Sequence, residues 1–197
     1  MLLDTRSFRC PLVYGDTDAA CPRSKILPND DPQATVLGEA QWSWLVERLA
    51  EPADLRILVS SIQVIPDAHC YEKWANFPRE RQRLFDAIRG ASSGQVILLS
   101  GDRHLGEISR IELPASAAVY EVTASGLNSA GAGKDETNLF RVHNDNVRVD
   151  HFGLLRVERD TAGMRVVLEL RGVDGEVIQS AAIPPTMEVR SGFTKGH

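Results

Sequence analysis

The sequence predicts an α/β fold whose C-terminal part is an antiparallel sheet. Three observations carry this expectation. Two nearly unbroken aliphatic runs, Leu55–Val64 and Gln95–Ser100, read as strands buried on both faces. Each follows a segment whose apolar residues recur at helical spacing. Beyond His104 the apolar residues instead recur in short segments, several alternating, separated by turn residues. Helices alternating with buried strands and then strands in succession describe a mixed α/β domain.

The elements follow in order. Residues 1–14 mix apolar and polar side chains. Residues 15–36 carry Asp16, Asp18, Asp30 and Asp31 with Pro22, Pro28 and Pro32, and read as a surface loop. A helix is expected from about Glu39 to Ala50, with Trp42, Leu45, Val46 and Leu49 on one face and Pro52 as its stop. Residues 66–78 form an irregular segment. Pro78 then suits the first position of a second helix, with Glu80 in its first turn, Leu84, Phe85 and Ile88 as its apolar face, and Gly90 as its end. Further strands are expected at Ile108–Leu113, Ala118–Ala124, Phe152–Glu158, Met164–Arg171 and Glu176–Ile183, the last two joined by an Asp174-Gly175 hairpin turn. Gly126–Asp150 reads as a long loop, of the kind that is functional or disordered. One domain, residues 1–183, is expected, with a tail at 184–197.

Composition narrows the function classes. The 27 Asp and Glu outnumber the 22 Lys and Arg, which disfavours a dedicated nucleic-acid binder. The longest apolar runs are as short as Val96–Leu99, so no membrane span is expected. Cys10, Cys21 and Cys70 are odd in number and widely spaced, and are expected as small hydrophobes or free thiols. Asp4 follows Met1-Leu2-Leu3 directly, which leaves no signal peptide in the chain as written. A cytoplasmic protein is therefore expected, or an exported one if a further N-terminal segment exists.

The most chemically loaded segment is Val96-Ile-Leu-Leu-Ser-Gly-Asp-Arg-His104. A buried strand delivers Asp102 and His104 at its C-terminal end, where ligands bind in open α/β sheets. Both residue types are metal ligands, and two positions apart in a turn they can aim at one centre; the bland alternative is a capping Asp and a solvated His. A second segment, Glu72-Lys-Trp-Ala-Asn-Phe-Pro78, places Trp74 and Asn76 in a loop between buried elements. Alone, it reads more simply as Trp74 and Phe77 plugging the core while Asn76 satisfies backbone groups. His69, His143, His151 and His197 read as solvated. There is no Gly-x-Ser-x-Gly elbow and no Gly-rich phosphate loop.

Several ordered motifs converge. Leu3-Asp-Thr-Arg6, Leu37-Gly-Glu-Ala-Gln-Trp-Ser-Trp-Leu45, Val59-Ser-Ser-Ile-Gln-Val64, Glu72–Pro78 with Glu80-Arg81, Leu99-Ser-Gly-Asp-Arg-His-Leu-Gly-Glu107, Tyr120–Leu127 and Phe152-Gly-Leu154 together resemble the PhoD-like (alkaline phosphatase D) branch of the metallophosphatase superfamily. The resemblance implies an α/β/β/α sandwich and a metal-dependent phosphoesterase acting on a small phosphate monoester or diester. Its metals would be Ca, Fe, Mn or Zn. Asp102 and His104 match the family's last ligand motif. By the same resemblance Arg103, Arg6, Asn76 and Trp74 are expected near the substrate phosphate. In the family an N-terminal half carrying the early metal ligands precedes Leu-Asp-Thr-Arg, whereas this chain starts at that segment. The expectation is therefore the C-terminal part of a phosphatase, incomplete alone, and either truncated here or completed by an N-terminal chain. The alternative is a non-catalytic interaction or scaffold domain that keeps the phosphatase core.

Overall fold

The computed structural model describes residues 1–114, 116–131, 136–161 and 163–184. The expected tail falls almost wholly outside these, as does His197. In chain order the elements are β1 (Val13–Tyr14), β2 (Ile26–Leu27), α1 (Glu39–Ala50), β3 (Leu55–Val59), α2 (Pro78–Arg89), β4 (Gln95–Ser100), β5 (Gly106–Ile111), β6 (Val119–Ala124), β7 (His151–Asp160), β8 (Gly163–Gly172) and β9 (Val177–Ile183), with a short 3₁₀ turn at Trp74–Asn76.

A four-stranded sheet runs β3-β4-β6-β5, with β3, β4 and β6 parallel and β5 antiparallel to β6. A second sheet, β7-β8-β9, is wholly antiparallel. The side chains of β4 explain the unbroken apolar run. Val96 and Leu98 face Trp42, Leu45, Leu49, Leu84, Phe85 and Ile88 of the helices. Ile97 faces the other way, into a cluster with Val166, Leu168, Leu170 and Ile183 of the second sheet. Each such fully buried aliphatic contributes roughly 1.5–3 kcal/mol. The described residues thus form three layers, helices, sheet and sheet.

Four differences from expectation have local causes. The strand beginning at Leu55 ends at Val59 rather than Val64. Ser60 Oγ donates to the Ile62 carbonyl at 2.7 Å and turns the chain out of the sheet, yet Ile62, Val64 and Ile65 stay buried in the turn. A buried apolar run need not be a strand. On α1, Trp42, Leu45 and Leu49 are buried but Val46 is exposed. β6 joins the first sheet in parallel with β4, although strands late in the sequence read as antiparallel. Cys21 and Cys70 form a disulfide, with Cα atoms 5.5 Å apart, which ties the 15–36 loop to the 66–78 segment. Only Cys10 is free.

Two features position the functional end of the sheet. Met1–Leu3 runs parallel to β3, with Leu2 bridged to Val59 and the Leu3 amide donating to the Val59 carbonyl at 2.9 Å. This carries Asp4-Thr5-Arg6 to the same end as the turn after β4. The buried Glu80 carboxylate accepts from Thr35 Oγ1, the Val36 amide and Trp42 Nε1, each at 2.8 Å, and so locks α2 to α1 and the chain before it.

Candidate functional site

The site lies at the C-terminal end of β4, where the chain turns through Gly101–His104. Side chains alternate there, with Asp102 and His104 exposed and Arg103 and Leu105 buried. Asp102 (φ 61°) and His104 (φ 55°) are the only non-glycine residues at positive φ among those described. Residues with a Cβ adopt this region at a cost, and such outliers cluster at functional sites. The backbone is held in place from below, since the Arg103 amide donates to Ser125 Oγ at 2.9 Å.

Above the turn, Asp102 Oδ2 accepts from the Arg6 guanidinium at 2.8 Å. Arg6 also bonds Glu72, whose other oxygen lies 3.0 Å from Arg9 Nε. His104 Nδ1 is 3.2 Å from Ser129 Oγ. Thr5 Oγ1 meets Ser61 Oγ at 2.5 Å and secures the Asp4–Arg6 segment to the chain leaving β3.

Below the turn the surroundings are buried and polar. The Arg103 guanidinium lies 4.9 Å over the Tyr71 ring and pairs with Glu136. Lys73 Nζ donates to the carbonyls of His69 at 2.6 Å and Tyr71 at 3.2 Å. Burial, with Arg103 nearby, pulls the Lys73 ammonium down to about 8. Burial, together with the charges of Arg103 and Lys73, drops His69 to about 2, so its ring is neutral. Deeper still, Gln63 Nε2 donates to Glu107 at 2.7 Å and to Thr123 Oγ1 at 2.8 Å, while Arg141 Nε holds the other Glu107 oxygen at 2.7 Å. Glu121 accepts from the amides of Val64 and Ile65, and complete burial raises it to about 6.

Trp74 and Asn76 lie inside the protein. Trp74 Nε1 donates to Ser60 Oγ at 3.0 Å, and Asn76 joins the Lys73 amide to the Ile26 carbonyl. Both shape the 66–78 segment rather than face solvent. The structure therefore brings Asp102, His104 and Arg6 together on the surface, and places Arg103, Trp74 and Asn76 beneath it.

Asp102 and His104 are donors of the right type for a metal ion, but a zinc-type ion takes four ligands and a calcium-type ion six to eight. Among the described residues no group of three or more His, Cys, Asp or Glu side chains converges to hold one. This donor set does not fit a complete metal centre.

The arrangement can be compared with known proteins. The PhoD-like phosphatase family matches residues 1–168. The chain belongs to the PhoD-like phosphatase family. It is 24% identical over 152 residues to alkaline phosphatase D of Bacillus subtilis (strain 168), covering 68% of this chain and 25% of that protein. A solved structure of PhoD superposes with a TM-score of 0.63 at 19% identity, covering 92% of this chain and 37% of that one. The chain thus spans about a quarter of the length of its curated PhoD relative. Arg6, Trp74, Asn76, Asp102, Arg103 and His104 all fall within the PhoD-like segment.

Sequence reasoning missed several groups of this PhoD-like chain. His69 and His151, expected as solvated, are both buried. The His151 ring fits against Gly106 and Gly126, where an added Cβ would come within 2.6 and 2.3 Å of it. Lys73, Tyr71 and Glu136 converge on Arg103 from distant parts of the chain. The one available signal was the Gly-rich spacing around β5 and β6, which marks close approach of another group.

Proposed function

We propose that this chain supplies part of the centre of a metal-dependent phosphoesterase, and that the remaining metal donors come from an N-terminal segment outside it. The observation that carries this reading is the exposed Asp102–His104 pair, held at positive φ at the end of the central strand with Arg6 beside it. Family membership supports phosphoester chemistry and a small phosphate ester as substrate. In this reading Asp102 and His104 are the donors, identity among Ca, Fe, Mn and Zn being open. Arg6 orients Asp102 and offers a second cation edge to a phosphate oxygen. Ser129 fixes the His104 ring. Trp74 and Asn76 are positioning residues for the 66–78 segment.

The test combines the purified chain with an N-terminal PhoD-like segment as a second polypeptide. Hydrolysis of p-nitrophenyl and bis-p-nitrophenyl phosphate is measured with each metal. Turnover is expected only with both polypeptides and metal, and is abolished by His104→Ala. Metal-independent turnover, or turnover indifferent to His104→Ala, overturns the assignment.

A second reading, an interaction or scaffold domain that keeps the phosphatase core, is favoured by the two-donor set. It expects no metal heat in calorimetry and a stable monomer in sedimentation, with the added segment present or absent.

A further inference from the structure

Beneath the turn lies a second group of cations that the surface site does not use. The Arg103 side chain is 4% exposed, and its fork is fixed by the Tyr71 ring 4.9 Å away. Its Nε is buried with no hydrogen-bond partner among the described residues. His69, 7% exposed, accepts from the Tyr71 amide through Nδ1 at 3.3 Å, so the proton sits on Nε2. That Nε2 is likewise buried without a described partner. Two buried donors are therefore left without acceptors, each costing about 1–3 kcal/mol. Lys73 is buried beside them.

Among the described residues the acceptor at the Arg103 fork is the Glu136 carboxylate, which reaches in from the long loop after β6 and bonds a terminal guanidinium nitrogen. Its side chain keeps 24% exposure, so this place communicates with solvent. Besides Glu136, the charges acting on Lys73 are Arg103, Arg81 and Asp67. Withdrawing Glu136 would remove the carboxylate paired with Arg103 and leave the Arg103 and Lys73 cations less compensated.

We propose that Arg103, Lys73 and His69 form an oxyanion subsite, occupied by the Glu136 carboxylate in the free chain and taken by a phosphate-type oxyanion that displaces it. The Glu136 carboxylate bonds the terminal nitrogen and leaves Nε unmet. A tetrahedral phosphate can engage the Nε edge of Arg103 side-on with two oxygens and present a third to His69 Nε2–H. Glu136 is thus an internal competitor, and the space its carboxylate fills is the space the anion takes. The inference rests on the phosphoesterase reading only for the identity of the anion; binding itself needs neither metal nor turnover.

The experiment is calorimetric titration of the whole chain with inorganic phosphate in the presence of EDTA, with sulfate, acetate and phenylphosphonate as further arms. Glu136→Gln removes the competing charge and is expected to tighten phosphate about tenfold. Arg103→Lys keeps a charge but loses the fork and is expected to lose most of the binding. Circular dichroism and thermal melting establish that each variant is folded, and phosphate should raise the melting temperature of Glu136→Gln more than that of the wild type. Binding of phenylphosphonate assigns the subsite to esters as well as free phosphate; its rejection assigns it to free phosphate. Acetate binding as tightly as phosphate, equal phosphate binding by all three proteins, or no phosphate heat from folded Glu136→Gln overturns the proposal. A failed metal or turnover assay alongside intact phosphate binding overturns the phosphoesterase reading alone.

Discussion

The two faces of the Gly101–His104 turn are built on opposite terms. On the outer face Asp102, His104 and Arg6 are exposed, and among the described residues Asp102 bonds Arg6 while His104 meets Ser129. On the inner side, Glu107 is bound by both Gln63 and Arg141, and Glu121 by two amides. Exposed ion pairs are worth little because water and salt screen them. Buried charges must be fully paired or they destabilise the fold. The lesson is a division of labour within one turn: the inner layer holds the backbone in its costly conformation, and the outer groups stay free to exchange partners.

Substitutions can break this contrast, and the largest effect is expected at Glu107. Glu107→Ala strands Arg141 and Gln63 in the interior and should cost about 3–5 kcal/mol in urea denaturation. If it costs no more than Asp102→Ala, the inner layer does not carry the turn.

Acidification sharpens the comparison next. His69, lowered from 6.5 to about 2, stays neutral when folded, so its contribution is lost as pH falls below 6.5. Glu121, raised from 4.5 to about 6, works the other way, and its contribution is lost as pH rises through 6. Each changes stability by about 1.4 kcal/mol per pH unit within its window. Between pH 6 and 4.5 the two should cancel; below 4.5 the His69 loss continues, joined by that of carboxylates held low by their partners, such as Asp18 and Glu169. In denaturation series His69→Asn should flatten the low-pH decline relative to wild type; an unchanged slope removes His69 from the inner layer.

A smaller effect is expected for Trp74→Phe, which leaves Ser60 Oγ without its indole donor. A loss of about 1–2 kcal/mol is expected in thermal melts, with no loss of phosphate binding in calorimetry. Loss of binding with stability unchanged would instead make Trp74 a ligand contact.

The smallest effect has the opposite sign. Asp102→Gly relieves the positive φ and an exposed ion pair, and should change stability by no more than about 1 kcal/mol, toward gain, while removing a proposed donor. A large loss would place Asp102 among the structural groups.

Much of this was readable from residues alone because the signals were local. The bounds of β4, α1 and α2 followed from periodicity, Pro78 and flanking turn residues, and the Asp102–His104 pair from its place after a buried strand. The direction of Arg103 was not readable, since it depends on the positive φ of the residues on either side of it, Asp102 and His104, and on the bond its amide makes to Ser125 just past β6. The early end of β3 was hidden because burial continued past it in a turn. The Cys21–Cys70 bond was hidden because 49 residues separate its partners.

The sequence by itself determined the mixed α/β class with its antiparallel C-terminal sheet, the family and the residue types at the turn, because each is written in local periodicity and short motifs. Only the tertiary structure decided which of those residues meet solvent and which meet one another. Arg103, Glu136 and the segment carrying His69 and Lys73 lie far apart along the chain, and only packing brings these groups within reach. A buried charge takes its meaning from the partners that enclose it.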